Sequence, residues 1–259
     1  INIELPTAEG LKALAPEKNS AAIDRSMARM AVHIGESRTP RKEQAAQAIV
    51  SMPQSRTTRR ASAPLFAPGG QSTQMIVGAD ATDDRTILAT SARLYGVHRL
   101  RRVYYSAFSP IPDAARALPL AAPPTVREHR LYQADWLMRF YGFSADEIAT
   151  GTTAGHLDLE LDPKLAWALQ HRGQFPVDVN AASQEMLLRV PGFGTKTVDR
   201  IIAARRNRSL RYEDLVRIGA QMKKAKAFVS MPGWTPGAMT DSNDLRARFA
   251  PPPQQLRLL

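Results

Sequence analysis

Apolar residues recur along this chain with two periods, and the change from one to the other divides it. Residues 1–5 alternate, with Ile1, Ile3 and Leu5 on one side and Asn2 and Glu4 on the other, the period of a strand. Thr7 is placed to cap a short helix that Pro16 interrupts. A second helix fits residues 17–34, with Ile23, Met27, Met30 and Ile34 on one stripe. From 35 to 73 the pattern dissolves into Pro, Ser, Thr, Arg and Gln, and only 42–50 keeps a helical composition. An insertion or mobile linker is expected there. Order returns at 74–79, a short apolar run suited to a buried strand. A turn at 80–84 starts a helix whose stripe is Ile87, Leu88, Ser91 and Leu94, and Gly96 ends it. Residues 102–108, with Val103, Tyr104, Tyr105 and Phe108, form the next strand. Strand, helix and strand at this spacing make a βαβ unit with parallel strands.

The second half is helical. A Pro- and Ala-rich stretch at 110–125 leads to a helix over 126–141 that mixes Leu131, Leu137, Met138 and Phe140 with Tyr132 and Trp136. Its aromatics beside Arg127, Arg130 and Arg139 suit stacking on bases or packing against the sheet. Residues 151–155 read as a hinge. Asp162-Pro163 is a strong helix start, a cap followed by proline at the first helical position. Two helices, 183–189 and 195–206, then flank Val190-Pro191-Gly192-Phe193-Gly194. Proline stops the first. The glycines let the backbone turn and let a ligand approach. The second helix begins with outward N–H groups, which bind anions. Lys196 adds a charge, and Arg200, Arg205, Arg206, Arg208 and Arg211 follow. A tight αα turn in an ordinary bundle uses similar residues, but proline, two glycines, lysine and flanking periodicity together favour phosphate binding. A degenerate second copy follows, with Ile218 for Val190, Gly219 for Gly192, and Phe228 and Val229 for Ile201 and Ile202. Lys223, Lys224 and Lys226 lie beside it. From Met231 onward, Pro236 and Pro251 to Pro253 mark a tail expected to be disordered.

Composition narrows the function. The net charge is +11, and between 183 and 229 there are 11 Lys or Arg against 4 Asp or Glu. A polyanionic partner is expected, concentrated on the hairpin region. There is no cysteine, which excludes disulfides, thiolate zinc sites and cysteine-held clusters from this chain. The five histidines show no metal-ligand spacing. No membrane-length apolar run occurs, and a cytoplasmic location is expected. Ile1 already stands inside an alternation, so the chain is expected to be a fragment lacking its N-terminal part.

The run LLRVPGFGTKTVDRII resembles the helix-hairpin-helix motif of DNA-repair proteins. That resemblance implies contact with the DNA backbone, without sequence reading, through Pro191, Gly192, Phe193, Gly194, Thr195, Lys196 and Arg200. A second resemblance rests on INIELPT, LKALAPEK, FAPGGQSTQMIVGAD, RVYYSAF and VREHRLYQADWLMRFYGF. These are similar to the later part of a bacterial radical S-adenosylmethionine family assigned to DNA modification or repair, with a C-terminal helix-hairpin-helix region. The implied fold is α/β plus all-α. Residues 1–112 would be the C-terminal half of a partial (β/α)6 barrel with 35–73 as its insertion, 113–160 a helical connector, 161–230 the paired hairpins and 231–259 the tail. The family's three-cysteine motif is absent. Its cofactors, S-adenosylmethionine and a [4Fe–4S] cluster, are therefore expected only in a complete protein. Asn2, Glu4, Gln74 and Gly78 would face the S-adenosylmethionine, although Gln74 replaces a glycine and Ala81 a glutamate of the pattern.

Carboxylate clusters of the nuclease type, a Ser-His-Asp order, a P-loop and a dinucleotide fingerprint are all missing. Asp214 stands where a glycosylase aspartate would tempt a reader, but with Glu213 it reads as a helix start. The expected function is the C-terminal part of a radical S-adenosylmethionine enzyme acting on DNA, with duplex DNA as partner and a uracil-DNA-glycosylase-like protein as a further one. The alternative is a non-catalytic DNA-binding or scaffold protein that keeps a barrel remnant. No catalytic residue and no metal ligand is assigned.

Overall fold

The structure, a computed structural model, describes residues 1–50, 64–112, 116–240 and 242–250, with the side chains of 40–50 left aside. The chain is mixed α/β. It divides into two compact units, residues 1–82 with 90–123, and residues 83–89 with 124–259. Among the described residues no helix is long and apolar enough to cross a membrane.

In the first unit, α1 (Ala8–Leu14) is capped by Thr7, whose hydroxyl accepts from the Gly10 N–H, as expected. The expected opening strand shrinks to a single parallel bridge between Glu4 and Met75. Glu4 has φ +62, and the Leu5 N–H turns back to the Ile3 carbonyl at 2.8 Å. The extended run therefore ends after one rung, and Ile1 is left exposed. Helix α2 (Ser20–Val50) extends past the helix end expected at residue 34. It runs on through Gly35, with Ser37 Oγ and Thr39 Oγ1 donating to the carbonyls of Ile34 and Gly35. Beyond Ile34 its sequence loses the apolar stripe but stays rich in Ala, Gln, Glu, Lys and Arg. Those residues favour helix without needing a core. The remainder of the expected insertion is described only from 64 onward.

Strand β1 (Ser72–Val77) and strand β2 (Arg102–Ala107) pair in parallel, with Met75 opposite Tyr105. Helix α3 (Asp84–His98) connects them, giving the βαβ unit that the sequence predicts. Thr73, Met75, Val77, Val103 and Tyr105 are all buried. Tyr105 is tied to Ser91 of α3, hydroxyl to hydroxyl, at 2.8 Å. Gln71 Nε2 donates to the carbonyls of Met27 and His98, joining α2 to the end of α3. The other face carries Gln74, Ile76, Tyr104 and Ser106, which are half-buried or exposed. No barrel closes among the described residues.

In the second unit Asp84, 1% exposed, accepts from Arg127 Nε at 2.7 Å and from the Leu157 N–H at 2.9 Å. Helix α4 (Thr125–Phe140) buries Leu131, Ala134 and Leu137. Helix α5 (Ala145–Ala149) starts in a capping box of Ser144 and Glu147. Helix α6 (Pro163–Gln170) starts with Asp162 as cap and Pro163 in its first turn, as the sequence predicts. Strand β3 (Val177–Asp178), helices α7 (Gln184–Arg189), α8 (Thr195–Ala204), α9 (Tyr212–Ile218) and α10 (Met222–Ala225), and strand β4 (Val229–Ser230) complete the unit. β3 and β4 pair in parallel. Leu187, Val190, Phe193, Val198, Ile201, Leu215 and Phe228 form the buried centre.

The expected disordered tail is also corrected as far as residue 250. Thr240 Oγ1 donates to the Ala227 carbonyl at 2.8 Å, Leu245 is fully buried, and Phe249 stacks on Phe228. Arg246 pairs with Asp158 and Glu160. Prolines mark this segment, but an apolar anchor and three charged side chains hold it. Residues 251–259 lie outside the described residues.

Met75 is fully buried in the central rung of β1. Met75→Ala is expected to lower unfolding free energy by about 2–5 kcal/mol, read as a shifted urea midpoint. A loss below about 1 kcal/mol would mean that the sheet is not the core of its unit.

Candidate nucleic-acid interface

The hairpin between α7 and α8 is built by local rules. Ser183 caps α7. Val190 leaves the helical region at ψ 121, as a residue before proline must. Pro191 and Phe193 are buried, the latter at 2% exposure. Both side chains therefore act in packing.

The glycines have different tasks. Gly192 has φ +87, and a Cβ there would stand 2.7 Å from the Gln221 carbonyl oxygen. The Gln221 N–H also donates to the Gly192 carbonyl at 3.2 Å. The turn of the first hairpin is thus packed, backbone to backbone, on the start of α10. From the other side Arg200 Nη1 reaches the Ile218 carbonyl in the second turn at 3.1 Å. The two hairpins hold each other, so Gly192 is committed to packing, while Arg200 stays exposed with one N–H on the second turn. Gly194 is the N-cap of α8 at φ −91, an ordinary conformation. Nothing approaches its missing Cβ more closely than the Tyr141 hydroxyl, at 3.7 Å.

Helix α8 is ten residues long, and no side chain caps it. Its first-turn amides have no acceptor inside the helix. The Tyr141 hydroxyl lies beside this helix start. Burial pushes the Tyr141 phenol up, opposed by the nearby Thr195 amide and Trp136 indole. Sequence reasoning missed Tyr141. The signal was the aromatic run at 136–141, which could not be placed without the fold. Lys196 is exposed beside the helix start, and Lys196, Arg206 and Lys223 make no ion pair among the described residues. Other basic positions are engaged. Arg205 donates to the carbonyls of Val179 and Ala182, and Arg208 pairs with Asp214. Asp214 accepts from the Arg211 N–H in the first turn of α9, the helix start read from the sequence.

A cavity of about 570 Å³ opens against the hairpin, with Trp136, Tyr141, Asp162, Lys164, Gly194 and Lys224 in its wall. Lys164 is 7% exposed and donates to the Phe193 carbonyl at 2.7 Å. Its Nζ sits 4.7 Å from the centre of the Tyr141 ring. Burial takes the ammonium from 10.5 down to about 7, opposed by Asp162 and helped by Arg189. Lys224 pairs with Asp162 at 2.7 Å.

The residues expected to face S-adenosylmethionine do not form a cradle. Asn2 is exposed and Gln74 half-buried. Glu4 spends its carboxylate on Lys18 at 2.7 Å. Gly78 has φ +80, and the Pro123 ring lies 2.8 Å from where its Cβ would be, so its open side is filled. The sequence holds no thiolate for a cluster. The residues present therefore do not fit either group.

No protein family, curated protein or solved structure matches this chain.

The glycine geometry separates stability from surface. Gly192→Ala is expected to cost more than about 2 kcal/mol, from the left-handed φ and the carbonyl clash. Gly194→Ala is expected to stay within about 1 kcal/mol of the parent. Urea unfolding of both variants checks the contrast, and equal losses would refute it.

Lys164 yields a pH test. Its folded pKa lies below its unfolded value, so between about pH 7 and about pH 10.5 the unfolded chain binds the extra proton. Stability therefore rises with pH across that window, and the burial cost is fully present below it. The stability of the parent minus that of Lys164→Met should climb above pH 7 by at most about 1.4 kcal/mol per pH unit. A flat difference between pH 6 and pH 10 would show that the ammonium is solvated.

Proposed function

We propose that the second unit binds duplex DNA through the phosphates at the start of α8, without sequence preference. The observation that carries this reading is the open N-terminus of α8: a glycine cap with no side chain, first-turn amides at Lys196 and Thr197, and the exposed Lys196 ammonium. A helix start of this kind favours an anion through donors and dipole together. The net charge of +11 supports a polyanion as that anion. Phosphate contacts position a protein on DNA and carry no sequence information.

The finer fold reading belongs to the same proposal: paired helix-hairpin-helix units following part of a (β/α)6 barrel. It is supported by the reciprocal contacts of the two turns and by the parallel order of the Glu4 bridge, β1 and β2. The chemistry of a radical S-adenosylmethionine parent would come from segments outside this sequence, and no step of it is assigned to residues here. The second reading, a DNA-binding or scaffold protein without catalysis of its own, is favoured by Lys18 on Glu4 and Pro123 on Gly78.

Anisotropy titrations over a range of salt test the DNA reading. With roughly two to four phosphates neutralised, the slope of log affinity against log salt should be about −2 to −4. Lys196→Ala should make it shallower by about one. Gly194→Val has room in the fold and should weaken binding most, because its branched side chain covers the helix start. A folded Gly194→Val that binds as the parent does would leave the hairpin as a structural turn only.

A further inference from the structure

The cavity beside α8 has more chemistry than a phosphate site needs. Its walls share Gly192, Phe193 and Gly194 with the hairpin, and the opposite wall brings Tyr132, Trp136 and Tyr141. Trp136 is 52% exposed, although α4 is already anchored by Leu131, Ala134 and Leu137. Its ring is nevertheless fixed. The Phe140 ring lies against it, 4.3 Å centre to centre. The Tyr141 hydroxyl stands at the start of α8, 3.7 Å from where a Gly194 Cβ would be. An exposed, packed aromatic face and the start of the helix proposed to hold a phosphate therefore border one cavity. Lys224, paired with Asp162, and the buried Lys164 line the space as well.

We propose that this cavity takes one unpaired nucleotide of a DNA strand, its base stacked on Trp136 while the adjoining phosphate sits at the start of α8. The inference rests on the hairpin reading and adds a substrate class to it: duplexes with a bulged or displaced nucleotide. Three observations point that way. The volume, about 570 Å³, lies in the range of small-ligand pockets, about 300–1,000 Å³, and is too small for stacked base pairs. Exposed aromatic faces beside cations are what single-stranded bases use, because every base has a π face. A ring already packed on Phe140 loses little freedom when a base covers it. Tyr141 contributes further. It lines the cavity, and its hydroxyl can both donate and accept a hydrogen bond.

The test compares two duplexes of equal length in anisotropy titrations with the whole chain. One is continuous. The other carries a central single-nucleotide bulge of 2-aminopurine, whose fluorescence is followed in parallel. The bulged duplex should bind about 5- to 100-fold tighter, the gain of one stacked base, and its fluorescence should be quenched further on binding. Trp136→Ala should bring the ratio of the two affinities close to one and remove the added quenching. Trp136→Phe keeps a stacking face without the indole N–H, and should retain part of the preference. Lys196→Ala should weaken both duplexes by a similar factor. Circular dichroism and the urea midpoint confirm that each variant is folded. Equal affinities for the two duplexes in the parent overturn this inference and leave the hairpin reading standing. A preference that survives Trp136→Ala also overturns it. Failure to bind either duplex overturns the hairpin reading, and this inference with it.

Discussion

The second unit depends on one contact, the packing of Gly192 against the backbone of Gln221. Each hairpin alone is a pair of short helices, and α7 and α10 have six and four residues. Helices that short are not stable in isolation. They persist because the two turns interlock and bury Leu187, Val198, Ile201, Leu215 and Phe228 between them. The interlock needs a residue without a Cβ and with a positive φ, and only glycine meets both demands at no cost. Arg200 on the Ile218 carbonyl and the β3–β4 pairing close the same arrangement from other directions.

That constraint decides which groups remain for a partner. Gly192 and the Phe193 side chain are used inside the protein, and Gly194, Lys196, Arg200 and the first turn of α8 are left at the surface. Helix α5 and helix α6 shape what lies beside them. Arg189, 6% exposed, is held by Glu147 through two hydrogen bonds of 2.6 and 2.8 Å. Lys164 is drawn under the turn to the Phe193 carbonyl. A buried lysine with a single carbonyl partner keeps a desolvation cost, and burial is the main cause of its lowered pKa. The turn is thus pinned by a group that is itself strained electrostatically.

The first unit shows a different constraint. Parallel strands are ordinarily covered on both faces. Here one face is packed on its own unit, while Tyr104, 44% exposed, and its neighbours Gln74 and Ser106 look outward. Glu4 and Gly78 lie on this sheet, but each already has an occupant, Lys18 and the Pro123 ring. Residues that a sequence pattern marks for a ligand are thereby used to finish the chain's own packing.

Local physics was enough for much of this. The βαβ unit, the Thr7 and Asp162 caps, the two glycine turns and the helix start at Asp214 were legible because each follows from neighbours a few residues apart. The opening strand failed because the left-handed Glu4 is fixed by pairing with Met75, some seventy positions away. The continuation of α2 beyond Ile34 was missed because a helix without an apolar stripe leaves no periodic mark. The tail was misread because prolines are local signals, while the burial of Leu245 and the carbonyl under Thr240 are not. At the hairpin the sequence determined the turn, its charge and its helix start. Only the tertiary structure decided that Gly192 serves packing and Gly194 the surface, and that Tyr141, Trp136 and Lys164 gather there. The physical reason is that those side chains arrive from α4 and α6, and long-range packing alone brings separate helices to one place.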